Sequence, residues 1–156
     1  MKDNKIFLDL EEEEISIGLL RLSRKIQDCE LFFNINLLNS FKFSREKDFI
    51  LKKGGRLYLF VQYQTYDEIT KCTYTFIANK YYDTRLEDRG HYDLFSNLVE
   101  EVYLLPEYRD VDYILLTKDF LYDFSVILLP SSLVFPIQEI SLSPEQELYQ
   151  TIQYYE

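Results

Sequence analysis

The chain has 156 residues, a length that fits one domain burying roughly 70% of its unfolded surface, with no metal or disulfide needed to fold. Apolar residues make up 47% and charged residues 28%, close to the globular average, which argues against global disorder. The formal net charge of -10 repels phosphate backbones, so no nucleic-acid partner is expected.

The first segment, MKDNKIFLDLEEEE, turns acidic where a secretory leader needs an apolar core. No apolar run approaches the length of a membrane span. A cytoplasmic protein with no membrane partner is therefore expected. KIFLDL (5–10) alternates weakly and suggests a first strand, and Glu11 to Glu14 a solvated turn. EISIGLL (14–20) places Ile15, Ile17 and Leu19 on one face of a strand. SRKIQDCELFFNINLLNS (23–40) predicts a helix, with Ser23 as N-cap and Asn39 as C-cap. Ile26, Cys29, Phe33 and Leu37 form one apolar stripe on it, and Phe32, Ile35 and Leu38 the neighbouring one.

Residues 41–51 suggest short extended segments, and KKGG (52–55) a turn. RLYLFVQYQTY (56–66) and TKCTYTFIANK (70–80) alternate strictly and predict one antiparallel hairpin. In 56–66 the reading puts Leu57, Leu59, Val61 and Tyr63 on one face, with Tyr58, Phe60 and Gln62 on the other. YYDTRLEDRGHYDLFSN (81–97) has no period and predicts a long loop. LVEEVYLL (98–105) and VDYILLT (111–117) predict strands around a turn. KDFLYDFSVILLP (118–130) predicts a short helix with Phe120, Phe124, Ile127 and Leu128 on one face. SLVFPIQEISL (132–142) predicts a strand, with Pro136 marking an edge or bulge, and SPEQELYQTIQYYE (143–156) a short helix or loosely docked tail.

The expected fold is α+β: a mainly antiparallel sheet with two main helices packed on one face. The strand–helix–strand order at 111–142, and again at 14–45, suggests ferredoxin-like units. The whole of 1–156 reads as a single domain. Cys29 and Cys72 are isolated and read as reduced core residues. With His91 the only histidine, no metal signature is present and no cofactor is expected.

LPEYRDVDY (105–113) sets Pro106 at a strand end, with Glu107, Arg109 and Asp112 around the following turn. If Ile114 faces the core, Asp112 lies at its edge and needs a partner, because an unpaired buried charge is costly. Pro106, Glu107, Val111, Asp112 and Tyr113 resemble the signature of the IPExxxVDY family, small bacterial proteins without an assigned activity. Leu105 stands where that signature has Ile. FIANK (76–80) and the helix ending LLNS are also similar to that family. The resemblance implies a cytoplasmic bacterial protein and no mechanism.

The first functional reading is a non-catalytic protein-interaction or adaptor module, with Tyr58, Tyr63, Tyr74, Tyr81, Tyr82, Arg89, His91 and Tyr92 as its surface. This reading includes a homodimer paired through the Pro136 strand or the hairpin edge. The alternative is a small-ligand-sensing regulatory domain. A third reading is an enzyme with Glu107 and Asp112 as acid and base. Tyr113 or His91 would then donate a proton, and Arg109 or Arg89 would hold an anion. No phosphate-binding loop or nucleophile elbow supports it, and no residue is assigned a catalytic role. For the PEYRD corner itself, a structural role is favoured over chemistry.

Overall fold

The computed structural model describes residues 15–81 and 102–154. The elements in chain order are β1 (Ile15–Leu20), α1 (Asp28–Leu38), β2 (Ser44–Arg45), β3 (Phe49–Lys53), β4 (Arg56–Phe60) and β5 (Gln62–Asp67). β6 (Cys72–Ala78), β7 (Tyr113–Leu116), a 3-10 turn (Phe124–Val126), β8 (Gln138–Leu142) and α2 (Glu147–Tyr154) follow. Six strands form one sheet in the order β2-β5-β6-β7-β1-β8, and β3 and β4 form a separate hairpin. Every strand pair is antiparallel. The α+β, sheet-dominated class is the expected one.

Neighbouring residues of a strand point to opposite faces, and the core divides accordingly. Leu20, Tyr63, Tyr74, Phe76, Tyr113 and Leu115 belong to one apolar cluster, together with Leu31, Phe32 and Ile35 of α1 and Phe124 of the 3-10 turn. Ile17, Leu19, Ile77 and Ile114 belong to a second, together with Phe49, Tyr58 and Phe60 of the β3–β4 hairpin and Leu148, Tyr149 and Ile152 of α2. The two helices thus cover opposite faces, not one. The sequence of β1, β6 and β7 already carries the reason. Leu19–Leu20, Phe76–Ile77 and Ile114–Leu115 are apolar on both parities, so both faces of the sheet need covering.

The ferredoxin-like units do not form. β7 and β8 flank β1, which runs antiparallel to both, and between them stands a single 3-10 turn in place of the expected helix. β1 and β2, the ends of the other expected unit, lie four strands apart in the sheet order. Segment 56–66 also splits. Tyr58 and Phe60 are buried in the hairpin, but beyond Val61 the buried parity changes to Tyr63 and Thr65. One continuous alternation therefore serves two sheets, and the β5–β6 pairing is the part of the expected hairpin that forms.

α1 begins at Asp28, later than Ser23. Arg21 to Ser23 stay out of the helix because Leu22 bridges Val134 and the Ser23 amide donates to the Leu133 carbonyl. Asp28 and Glu30 in its first turn suit the positive end of the helix dipole. Asn39 caps the other end as expected: its Nδ2 donates to the carbonyls of Ile35 and Leu128, and its Oδ1 accepts from the Leu128 amide. Of the expected stripes only Phe32 and Ile35 within α1 are buried, with Ile26 before it. Phe33, Leu37 and Leu38 are exposed, and so is Cys29, whereas Cys72 is a core residue.

Gly54 and Gly55, both at positive φ, make the two-residue β3–β4 turn. Gly18 serves a different need, since a Cβ there would stand 2.8 Å from Ile137 Cγ2. The tail is not loose: Leu148, Tyr149 and Ile152 are buried, and the Ser143 amide donates to Gln146 Oε1 at the start of α2. The expected strand at 5–10 and the bulk of the expected loop at 81–97 lie outside the described residues.

Candidate functional site

The PEYRD corner is built around Asn79, at the end of β6. This side chain is fully buried. Its Nδ2 donates to the carbonyls of Tyr108 (2.8 Å) and Val111 (3.1 Å), and its Oδ1 accepts from the Leu105 amide (2.8 Å). Its backbone joins the same corner, accepting from the Leu104 amide and donating to the Asp112 carbonyl. Leu105, Val111 and Tyr113 are buried and anchor the turn.

The charged residues act at the rim. Asp112 Oδ2 accepts from the Leu22 amide at 2.8 Å. Loss of solvent around this carboxyl pushes its pKa up, opposed by the Leu22 amide, reinforced by Asp110 and countered by Arg21. Asp110 pairs with Arg21 Nε at 2.6 Å, and that bond holds its pKa below the ordinary range. Arg21 also donates to Gln138 Oε1, so one guanidinium links β1, the corner and β8. Arg109 lies over the Tyr103 ring, 5.5 Å from its centroid. Pro106 and Glu107 are exposed, and among the described residues no hydrogen bond or ion pair joins Glu107 to Arg109 or Asp112. Neither Asn79 nor Asp110 carries a local signal in the sequence, because the partners of each, 105–111 and Arg21, lie dozens of residues away.

The tyrosine surface is corrected. Tyr58, Tyr63 and Tyr74 are buried, because both sheet faces are covered. The Tyr63 hydroxyl donates to Asp28 Oδ2 at 2.9 Å, and its ring stacks on Phe32 with centroids 3.9 Å apart. Tyr81 packs edge-on against Tyr58. Tyr82, Arg89, His91 and Tyr92 lie outside the described residues.

A concave site that the sequence reading did not foresee lies on the α2 face of the sheet. It is a cavity of about 460 Å³. Its floor is the registered rows Gln62–Ile77 and Gln64–Thr75–Leu116, with Thr73 beyond. Phe49 of the hairpin and Ile152 of α2 form walls, and Thr117, Lys118 and Asp119 close the polar end. Asp119 is pinned there: its Oδ2 accepts from the Thr73 amide at 2.7 Å and from Thr117 Oγ1 at 3.2 Å. Gln64 Nε2 donates to Thr75 Oγ1, and Gln62 Nε2 to the Lys47 carbonyl.

The loop after Asp119 carries Phe120 and Leu121, 94% and 88% exposed. The Cys72 thiol donates to the Leu121 carbonyl, which ties this loop to the β5–β6 turn. Ile69 on that turn is 84% exposed.

Among the described residues no group of His, Cys, Asp and Glu could hold a metal, and no helix is long and apolar enough to cross a membrane. Comparison with family models, curated proteins and solved structures finds no match for this chain.

Proposed function

We propose that the protein is a non-catalytic binding module, and that the cavity on the α2 face of the sheet takes a small ligand. The observation that carries this is the cavity itself. Its volume of about 460 Å³ lies in the range of small-molecule sites, and it combines apolar walls with a few fixed polar groups. The regulatory-domain alternative therefore moves ahead of the tyrosine-surface reading, three of whose named residues, Tyr58, Tyr63 and Tyr74, are buried.

The test is ligand-observed NMR with a panel of small fragments of mixed polarity, on the parent chain and on Thr75→Phe. The variant puts a ring in the middle of the floor at a strand position that tolerates aromatics. Fragments should bind the parent and not the variant, with circular dichroism unchanged. Silence from the whole panel, or equal binding to both chains, would sink the reading.

A second reading, interaction with a protein partner or a second copy, is supported by Ile69, Phe120 and Leu121 gathered at one end of the sheet. The resemblance of 105–113 to the IPExxxVDY family, with the bacterial and cytoplasmic setting it implies, belongs to the same proposal. Supporting it, Leu105, Val111, Asp112 and Tyr113 each do identifiable structural work at the corner.

A further inference from the structure

The cavity is polarised along the strands. Along the registered rows Ile77 stands at one end, Leu116 with Thr75 in the middle and Thr73 at the other, where Thr117, Lys118 and Asp119 continue from β7; Phe49 and Ile152 complete the apolar lining. The polar end carries both signs of charge, on the consecutive residues Lys118 and Asp119. The Asp119 carboxylate is held through Oδ2, which leaves Oδ1 without a hydrogen-bond partner among the described residues. The floor adds an acceptor in the next row, because Gln64 donates through Nε2 to Thr75 Oγ1 and its Oε1 has no hydrogen-bond partner among the described residues. A lone cation at this end would select an anion. An adjacent cation and anion, with an acceptor beside them, complement a group that is itself dipolar.

We infer that the cavity binds a zwitterionic α-amino acid with a large apolar side chain. The ligand's carboxylate faces Lys118, its ammonium faces Asp119 and Gln64 Oε1, and its side chain lies against Ile77, Phe49 and Ile152. This rests on the reading of the cavity as a ligand site and names the ligand class. Anionic amphipaths are disfavoured by Asp119, and bare hydrocarbons leave the polar end unpaired.

The test is isothermal titration calorimetry with L-phenylalanine, L-leucine, L-glutamate, N-acetyl-L-phenylalanine and L-phenylalanine amide, with amide shifts of Thr73, Thr75 and Ile77 read by NMR. Phenylalanine or leucine should bind and move those amides. Blocking either the ammonium or the carboxylate should weaken binding by about tenfold or more, as for loss of a charge-assisted hydrogen bond. Lys118→Met should reduce discrimination against the amide, and Asp119→Asn, which can still accept from the Thr73 amide, discrimination against the acetylated form. The class is overturned if the blocked compounds bind as well as the free amino acid. It is also overturned if no amino acid binds while mixed fragments still bind in a Thr75→Phe-sensitive manner, a result that leaves the ligand-site reading standing. If neither fragments nor amino acids bind, both fail.

Discussion

Asn79 illustrates how one neutral side chain can hold a corner that four charged residues surround. It satisfies two carbonyls and one amide that the turn would otherwise leave unpaired inside the fold. Each such group costs about 1–3 kcal/mol when orphaned. Asn79→Ala should therefore lose about 3 kcal/mol or more, which in a chain of this size lowers the melting midpoint by roughly 6–12 °C. Glu107→Ala, an exposed position away from any such network, should stay within about 0.5 kcal/mol of the parent. Thermal melts of the two variants side by side check this. The reverse ranking would return Glu107 to the centre of the motif. Asp112 stands between them, since its bond to the Leu22 amide anchors the end of β1 but its carboxyl lies at the rim.

At the scale of elements, α1 is latched to β5 by Tyr63 and Asp28. Burial comes first in pushing the Tyr63 hydroxyl up to about 12, followed by its hydrogen bond to Asp28 and the charge of that carboxylate. Burial also raises Tyr113 and Tyr74. An unfolded tyrosine loses its proton near pH 10, so above that the unfolded chain is favoured by ionisation that the folded chain resists. The stability tied to Tyr63 is thus complete below about pH 10 and is lost as pH climbs toward 12. A tyrosinate absorbance titration should show a late group of hydroxyls that ionise only as the fold opens. Asp28→Asn should bring Tyr63 down toward the ordinary value. Simultaneous titration of all tyrosines near pH 10 would contradict the latch. The same element shows where periodicity misleads. Phe33, Leu37 and Leu38 complete a plausible apolar stripe on paper, but α1 rests on Leu31, Phe32 and Ile35.

At the scale of the whole molecule, one loop joins the cavity to an exposed apolar end of the sheet. Lys118 and Asp119 line the cavity, and Phe120 and Leu121 follow them on the same loop. Fully exposed apolar side chains contribute little to folding, so the double variant Phe120→Ser and Leu121→Ser should melt at the parent's midpoint, within roughly a degree or two. If this end is an interface, the same variant should abolish any concentration-dependent self-association seen by sedimentation. A parent that sediments as a monomer at all concentrations would leave the end to a different partner or remove it from consideration. A large fall in midpoint would show that the loop is part of the core.

The residues alone determined that this is an acidic, sheet-rich α+β chain, with a Gly-Gly hairpin turn, a β5–β6 pairing, an Asn-capped helix and a hydrogen-bonded corner at 105–113. Most of those features depend on neighbours in sequence, through alternation of period two, glycines that accept positive φ and a cap that bonds within four residues. The corner shows in the sequence only as a turn at Pro106, and its bonds come from Asn79, Arg21 and Leu22. Tertiary structure decided the rest. Which stripe of α1 is buried, the break at Val61, the non-helical path of 21–23 and the role of Asn79 all depend on partners dozens of residues away. The cavity is the extreme case. Its floor comes from β5, β6 and β7 and its walls from β3 and α2, so no local stretch could announce it, and only the packing of those elements brings Gln64, Thr73, Lys118 and Ile152 around one space.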